Sequence, residues 1–181
     1  NPVGKQNDYE PLRYAGVLEL VREKSGWGAP TTGLHRGVSA YFCHNTYVAE
    51  VLDLSLVEGK PVVQRVCCAV DCGIVVNPDA ATNLAEGCIV DGIGTALYGR
   101  LSLKDGRPEQ QNFNNYRLIR HGEAPRSIDV HFVKNDIDPT GMGEPPYPPV
   151  FAALANALYK ATGKRFYHQP FMEGGQLSAR T

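Results

Sequence analysis

The apolar period of the chain changes once between Tyr47 and Ala96, from two residues to 3.6, and the change falls at Asn77-Pro78. Before it, Val48, Leu52, Leu54 and Leu56 share one face of a strand over Tyr47 to Val57, interrupted by Glu50. Glu58-Gly59 makes a turn. Val62, Val66, Cys68 and Val70 then alternate inward along a return strand over Val62 to Asp71. After the change, Asn77 suits a helix N-cap and Pro78 the first helical position. Ala81, Leu84, Ala85, Cys88, Ile89 and Ala96 repeat at helical spacing. A hairpin running into a long apolar helix predicts an α/β (α+β) fold, a mixed sheet with helices packed on it.

The remaining elements fit that plan. A helix is predicted over 11–25, with Pro11 near its start, Gly26 at its end, and Tyr14, Ala15, Leu18 and Val21 on one face. A Gly-, Pro- and Thr-rich loop follows to Gly33, then a strand over Val38 to Cys43. Arg100 to Leu103 reads as a short strand turned by Asp105-Gly106. Gln110 to Tyr116 reads as a polar loop or edge strand. Ser127 to Val133 alternates, with Ile128, Val130 and Phe132 on one face. A last helix over 149–162 buries Val150, Leu154, Leu158 and Ala161, and Gly163 caps it. Arg165 to Phe171 suits a final edge strand. Residues 1–173 are read as one domain, and 174–181 as a disordered or artificial tail. Gly87, Gly92 and Gly94 lie inside the second helix, where each costs about 1 kcal/mol against Ala. They serve either close packing on the sheet or backbone approach to a bulky ligand.

Composition excludes several classes of function. Of the 181 residues, 20% are charged and the net charge is -1, with no basic run, so nucleic acid and anionic membranes are poor partners. No run of about 18 apolar residues offers a transmembrane helix. The start, Asn1-Pro2-Val3-Gly4-Lys5, has neither an apolar signal region nor an initiating Met, and suggests a piece of something longer. Cys43, Cys67, Cys68, Cys72 and Cys88 are odd in number and clustered, which favours buried thiols over disulfides. Cys67-x4-Cys72 lacks the following Cys-x2-Cys of an iron–sulfur spacing. His35, His44, His121, His131 and His168 form no i, i+4 pair, so no protein-held metal is predicted. Cytoplasmic and periplasmic placements both stay open.

The segment with most chemical character is Gly141-Met142-Gly143-Glu144-Pro145-Pro146. Proline locks φ and removes a donor, and glycine allows close backbone approach. Together they aim one carboxylate from a rigid loop at the start of the last helix. The positive end of that helix favours the anion by about 0.3–1 kcal/mol. Glu144 is there either as a helix cap or as a directed functional acid.

Four segments in order carry a family resemblance. They are Thr46-Tyr47-Val48-Ala49-Glu50-Val51, Ala69 to Pro78 (AVDCGIVVNP), Glu86 to Ile93 (EGCIVDGI), and Gly141 to Pro146 followed by Ala155-Asn156-Ala157. The set resembles the C-terminal part of the molybdenum-cofactor subunit of the xanthine oxidase and aldehyde oxidase family, most of all the isoquinoline 1-oxidoreductase β subunits. The likeness runs from about Gly26 to about Pro170.

It implies hydroxylation of an electron-poor carbon, in an N-heterocycle or an aldehyde, with water as the oxygen source. It further implies Glu144 as general base, Gly143 as a cofactor-binding residue, and molybdopterin in its cytosine dinucleotide form as cofactor. The implied partners are the missing N-terminal part of the same subunit, an iron–sulfur or haem electron-transfer subunit, and a small aromatic or aldehyde substrate. The family commonly has a glutamine where Leu84 stands, which removes a polar contact to the pterin. A non-catalytic relative that keeps the scaffold is the alternative reading. These 181 residues alone are expected to offer one wall of a site, to hold no cofactor, to be inactive, and to self-associate through a surface around Gly87 to Gly94 and loop 141–148.

Overall fold

The structure is a computed structural model that describes residues 9–179. Its centre is a four-stranded mixed sheet in the order β1-β2-β3-β6. Strands β1 (His35–Cys43), β2 (Thr46–Val57) and β3 (Lys60–Asp71) form an antiparallel meander, and β6 (Ser127–Phe132) adds parallel to β3. Helices α2 (Pro78–Tyr98) and α3 (Pro148–Thr162) contribute to the core on one face, and α1 (Pro11–Ser25) covers the other. The predicted fold class, the hairpin and the three helices are therefore present.

The two faces account for the long buried run of β2. Val48, Leu52 and Leu54 join Ile89, Ile93, Leu154 and Leu158 in the larger core, while Tyr47, Ala49 and Val51 meet Val17 and Val21 of α1. A strand covered on both sides is apolar throughout rather than alternating. Burying a valine such as Val17 contributes roughly 1.5–3 kcal/mol.

The helix ends follow the predicted chemistry. Asn77 Oδ1 accepts from the Ala80 N–H at 3.0 Å. Gly26 and Gly163 close their helices at φ of +65° and +70°.

Five expectations need correction. In α1 the buried face is Val17, Val21 and Ser25, while Ala15 and Leu18 are exposed. The apolar residues of this helix lie almost all round it, so spacing alone does not choose the face. In β3 the inward residue is Val63, not Val62, because the register shifts between Asp53 and Leu54 and leaves Gln64 as an extra residue. Residues 165–171 form no strand. Phe166 and Phe171 pack edge to face at 5.7 Å instead, and the Phe171 N–H donates to Ala96 O.

The expected tail is structured as far as it is described. β7 (Met172–Glu173) and β8 (Gln176–Leu177) pair across Gly174-Gly175, while residues 180–181 lie outside the described range. The short strand predicted at 100–103 is displaced to β4 (Leu103–Lys104), which pairs with β5 (Arg107–Pro108) across Asp105-Gly106. Residues 110–116 are loop.

Candidate active site

The end of β3 sets where the Glu144 loop lies. The Thr140 N–H donates to Cys72 O at 2.9 Å, and the Ile74 N–H to Ile137 O at 2.9 Å. Gly73 makes that approach possible. Its φ is +72°, and a Cβ there would stand 2.4 Å from Asp138 O.

The β1–β2 turn then grips the loop from the other side. The Gly141 N–H donates to His44 O at 3.2 Å. Thr46 Oγ1 donates to Gly141 O and accepts from Thr140 Oγ1. A Cβ at Gly141 would fall 2.7 Å from the Cβ of His44, so the two segments touch there through glycine. Helix α2 supplies another hold, with the Cys88 thiol donating to Gly143 O at 2.8 Å.

Glu144 leaves this frame pointing outward. Its carboxylate is 69% exposed and lies 3.1 Å (Oε2) from Nε2 of His44. Its backbone carbonyl accepts from the Tyr147 N–H at 2.9 Å, but no side chain caps α3. Glu144 is thus not a capping glutamate. Pro145 and Pro146 are buried behind it.

Sequence reasoning assigned no site role to His44, Thr46 or Cys88, although Thr46 and Cys88 lie within the segments that carry the resemblance. The pairing of His44 with Glu144 spans 100 residues. The one available signal was the short gap between the strands predicted to end at Cys43 and to begin at Tyr47.

The glycines of α2 divide between the two roles read from the sequence. A Cβ on Gly92 would meet Val150, and one on Gly94 would meet Ile119, so both serve packing and both are buried. This narrows the surface expected around Gly87 to Gly94. Gly87 meets nothing and lines a groove of about 470 Å³ with Glu86, Val90, Asp91 and Ile119. Gly143 also faces open space. Leu84 is 48% exposed on the same helix. Among the described residues no three His, Cys, Asp or Glu side chains are grouped to hold a metal.

One buried acid lies on the α2 and α3 side of the sheet, between Val48 and Leu52 on β2. Glu50 is fully buried, and neither carboxyl oxygen has a hydrogen-bond partner among the described residues. Its cross-strand partner Cys68 offers only a thiol, a weak donor. Burial pushes the Glu50 carboxyl well above the usual range, because the charged form is cut off from water. An acid with a raised folded-state pKa contributes fully below its unfolded value of about 4.3, and stability falls as pH rises from there toward the folded value. Glu50→Met, of similar volume and without the orphan oxygens, is expected to stabilise the chain at neutral pH by about 1–3 kcal/mol. It should also flatten the pH dependence. Urea unfolding at pH 5 and pH 8 checks this, and a variant less stable than wild type at pH 8 would contradict it.

Comparison with known proteins agrees with this architecture. Residues 10–125 match the family model of the molybdopterin cofactor-binding domain. The chain is 32% identical to the membrane-bound aldehyde dehydrogenase [pyrroloquinoline-quinone] of Gluconacetobacter polyoxogenes, over 88% of this chain and 22% of that protein. It is 30% identical to isoquinoline 1-oxidoreductase subunit beta of Brevundimonas diminuta, over 87% of this chain and 21% of that one. The chain thus spans about a fifth of the length of these curated relatives. Among solved structures, quinoline 2-oxidoreductase from Pseudomonas putida 86 superposes with a TM-score of 0.63 at 18% identity, over 70% of this chain and 17% of that chain. The aldehyde oxidoreductase from Desulfovibrio desulfuricans gives 0.61 at 22%, over 72% and 16%. The chain belongs to the molybdopterin cofactor-binding domain family, among the molybdenum-binding subunits of the xanthine oxidase and aldehyde oxidase type.

Proposed function

We propose that this chain is one wall of the active site of a molybdenum hydroxylase that oxidises N-heterocycles or aldehydes with water as the oxygen source. Glu144 is its general base. The observation that carries this reading is the exposed Glu144 carboxylate on a loop held by β3, the β1–β2 turn and α2. A general base must be free of other duties and within hydrogen-bond reach of its proton. Glu144 caps no helix, and among the described residues its carboxylate bonds through Oε2 alone, so it keeps acceptor capacity.

The residues present fit the cofactor. Gly143 and Gly87 leave backbone open where a Cβ would meet nothing, and these two positions would hold the pterin side of the group. When bound, the molybdenum cofactor supplies the sink for the two electrons taken from the substrate. The protein's share is to place the carboxylate. Glu144 accepts the proton of the water that becomes the product's hydroxyl, and the rigid frame presents it in reacting geometry.

The N-terminal part of the same subunit closes the opposite wall, and an iron–sulfur or haem partner takes the electrons onward. The cytosine dinucleotide form of the cofactor belongs to this proposal.

Leu84 favours a second reading, a relative that keeps the scaffold without the cofactor. Leucine offers no hydrogen bond at that exposed position. Metal and pterin analysis of the full-length protein separates the two. Equimolar molybdenum with a released cytidine nucleotide is the expected result. A folded, metal-free protein would leave the non-catalytic reading in place.

A further inference from the structure

We propose that the β1–β2 turn aims the catalytic carboxylate, with His44 as the positioning residue of Glu144. The inference rests on the reading of Glu144 as the base, and deepens it.

The need for such a residue follows from the loop. Glu144 follows Gly143, whose Cα has no side chain to pack, and its own side chain is 69% exposed. A glutamate side chain in solvent samples several rotamers. Catalysis needs the carboxylate in one place, and a misplacement of about 1 Å costs on the order of 10²-fold.

His44 is built to supply that place. It sits at the tip of a two-residue turn, with φ of +51° there and +58° at Asn45. Cys43 and Thr46 still pair on either side, so the turn is carried at the end of a complete ladder. The His44 carbonyl takes the Gly141 N–H, its Cβ lies against the Gly141 backbone, and its Nε2 stands 3.1 Å from Glu144 Oε2. One residue therefore fixes both the loop's backbone and the loop's acid.

Strand β1 is itself tied to the helix after the loop. Gly37 packs so closely on α3 that a Cβ would fall 2.0 Å from Ala153 O, and Asn156 Nδ2 donates to Val38 O at 3.1 Å. The turn and the loop thus share one rigid support. Among the described residues, the other titratable groups coupled to Glu144 are the thiols of Cys43 on β1 and Cys88 on α2. Neither competes with the imidazole as a donor to the carboxylate. Cys88 spends its proton on Gly143 O.

In this arrangement Nε2 carries the ring proton and donates to Oε2. Oε1 is left to accept from the substrate side.

The test uses the full-length, metal-replete protein. His44→Ala is expected to lower kcat by about 10–100-fold with KM and molybdenum content unchanged. His44→Gln keeps an N–H donor and is expected to recover most of the rate. In protein labelled with ¹⁵N at histidine, the neutral His44 ring should show the Nε2-protonated tautomer, and its signal should move in Glu144→Ala. A wild-type kcat in His44→Ala, or an Nδ1-protonated ring unmoved by Glu144→Ala, would overturn the proposal. Glu144→Gln run beside them separates the two levels of the reading. If it is slow while His44→Ala is not, only the role of His44 fails. If it is as fast as wild type, the base assignment fails with it.

Discussion

Arg13→Leu is expected to destabilise the chain by about 3–5 kcal/mol, the usual result of stranding one partner of a buried ion pair. Arg13 reaches from α1 to the end of β3, where its Nη2 and Nε meet the two oxygens of Asp71 at 2.7 and 3.0 Å. The pair is enclosed, with side-chain exposures of 11% for Arg13 and 2% for Asp71. The guanidinium also lies 4.7 Å over the ring of Tyr47. Removing it leaves a carboxylate with the Asn135 amide and the Gly73 N–H as remaining donors. At 2–4 °C per kcal/mol for a chain of this size, Tm should fall by roughly 6–20 °C.

Burial works to raise the Asp71 carboxyl, but Arg13, Asn135 and the Gly73 N–H together hold it below the usual carboxylate range. The stability it contributes is therefore present above the unfolded value of about 3.9 and is lost as pH falls through the folded one. The variant should lose that acid-side dependence. Arg13→Leu combined with Asp71→Leu should return much of the lost stability, because no charge is left unpaired. Calorimetry of wild type and the two variants decides it, and an unchanged Tm in Arg13→Leu would show that the pair contributes nothing. The effect reaches the site as well. Asp71 also orients Gly73 and Asn135, which flank the junction between β3 and the Glu144 loop.

Local chemistry made most of the fold legible. Asn77-Pro78 named the start of α2, Gly26 and Gly163 the ends of α1 and α3, and period two named β2 and β3. What failed did so for physical reasons. Gln64 as an extra residue exchanged Val62 for Val63, and no sequence period announces a bulge. The hairpin at 172–177 has two residues on each side of Gly174-Gly175, too few for any period to show. At the site, the glycines and prolines around Glu144 marked a rigid loop. The three holds on it come from the His44 turn, the end of β3 and Cys88, each distant in sequence. Glu50 was legible only as an interruption in a strand, and its burial without partners is a tertiary fact.

If Glu144 takes the proton, replacing its carboxylate by an amide must cut turnover. Glu144→Gln keeps shape and hydrogen bonding, including an acceptor for His44, but has no carboxylate to accept a proton. In the full-length protein, with molybdenum content matched to wild type, steady-state oxidation of an N-heterocycle or aldehyde with a dye acceptor is the assay. Turnover is predicted to drop by about 10²–10⁴-fold, the usual contribution of a general base, with fold and metal content retained. Equal turnover in the metal-matched variant and wild type would mean that Glu144 is not the base and serves a structural role.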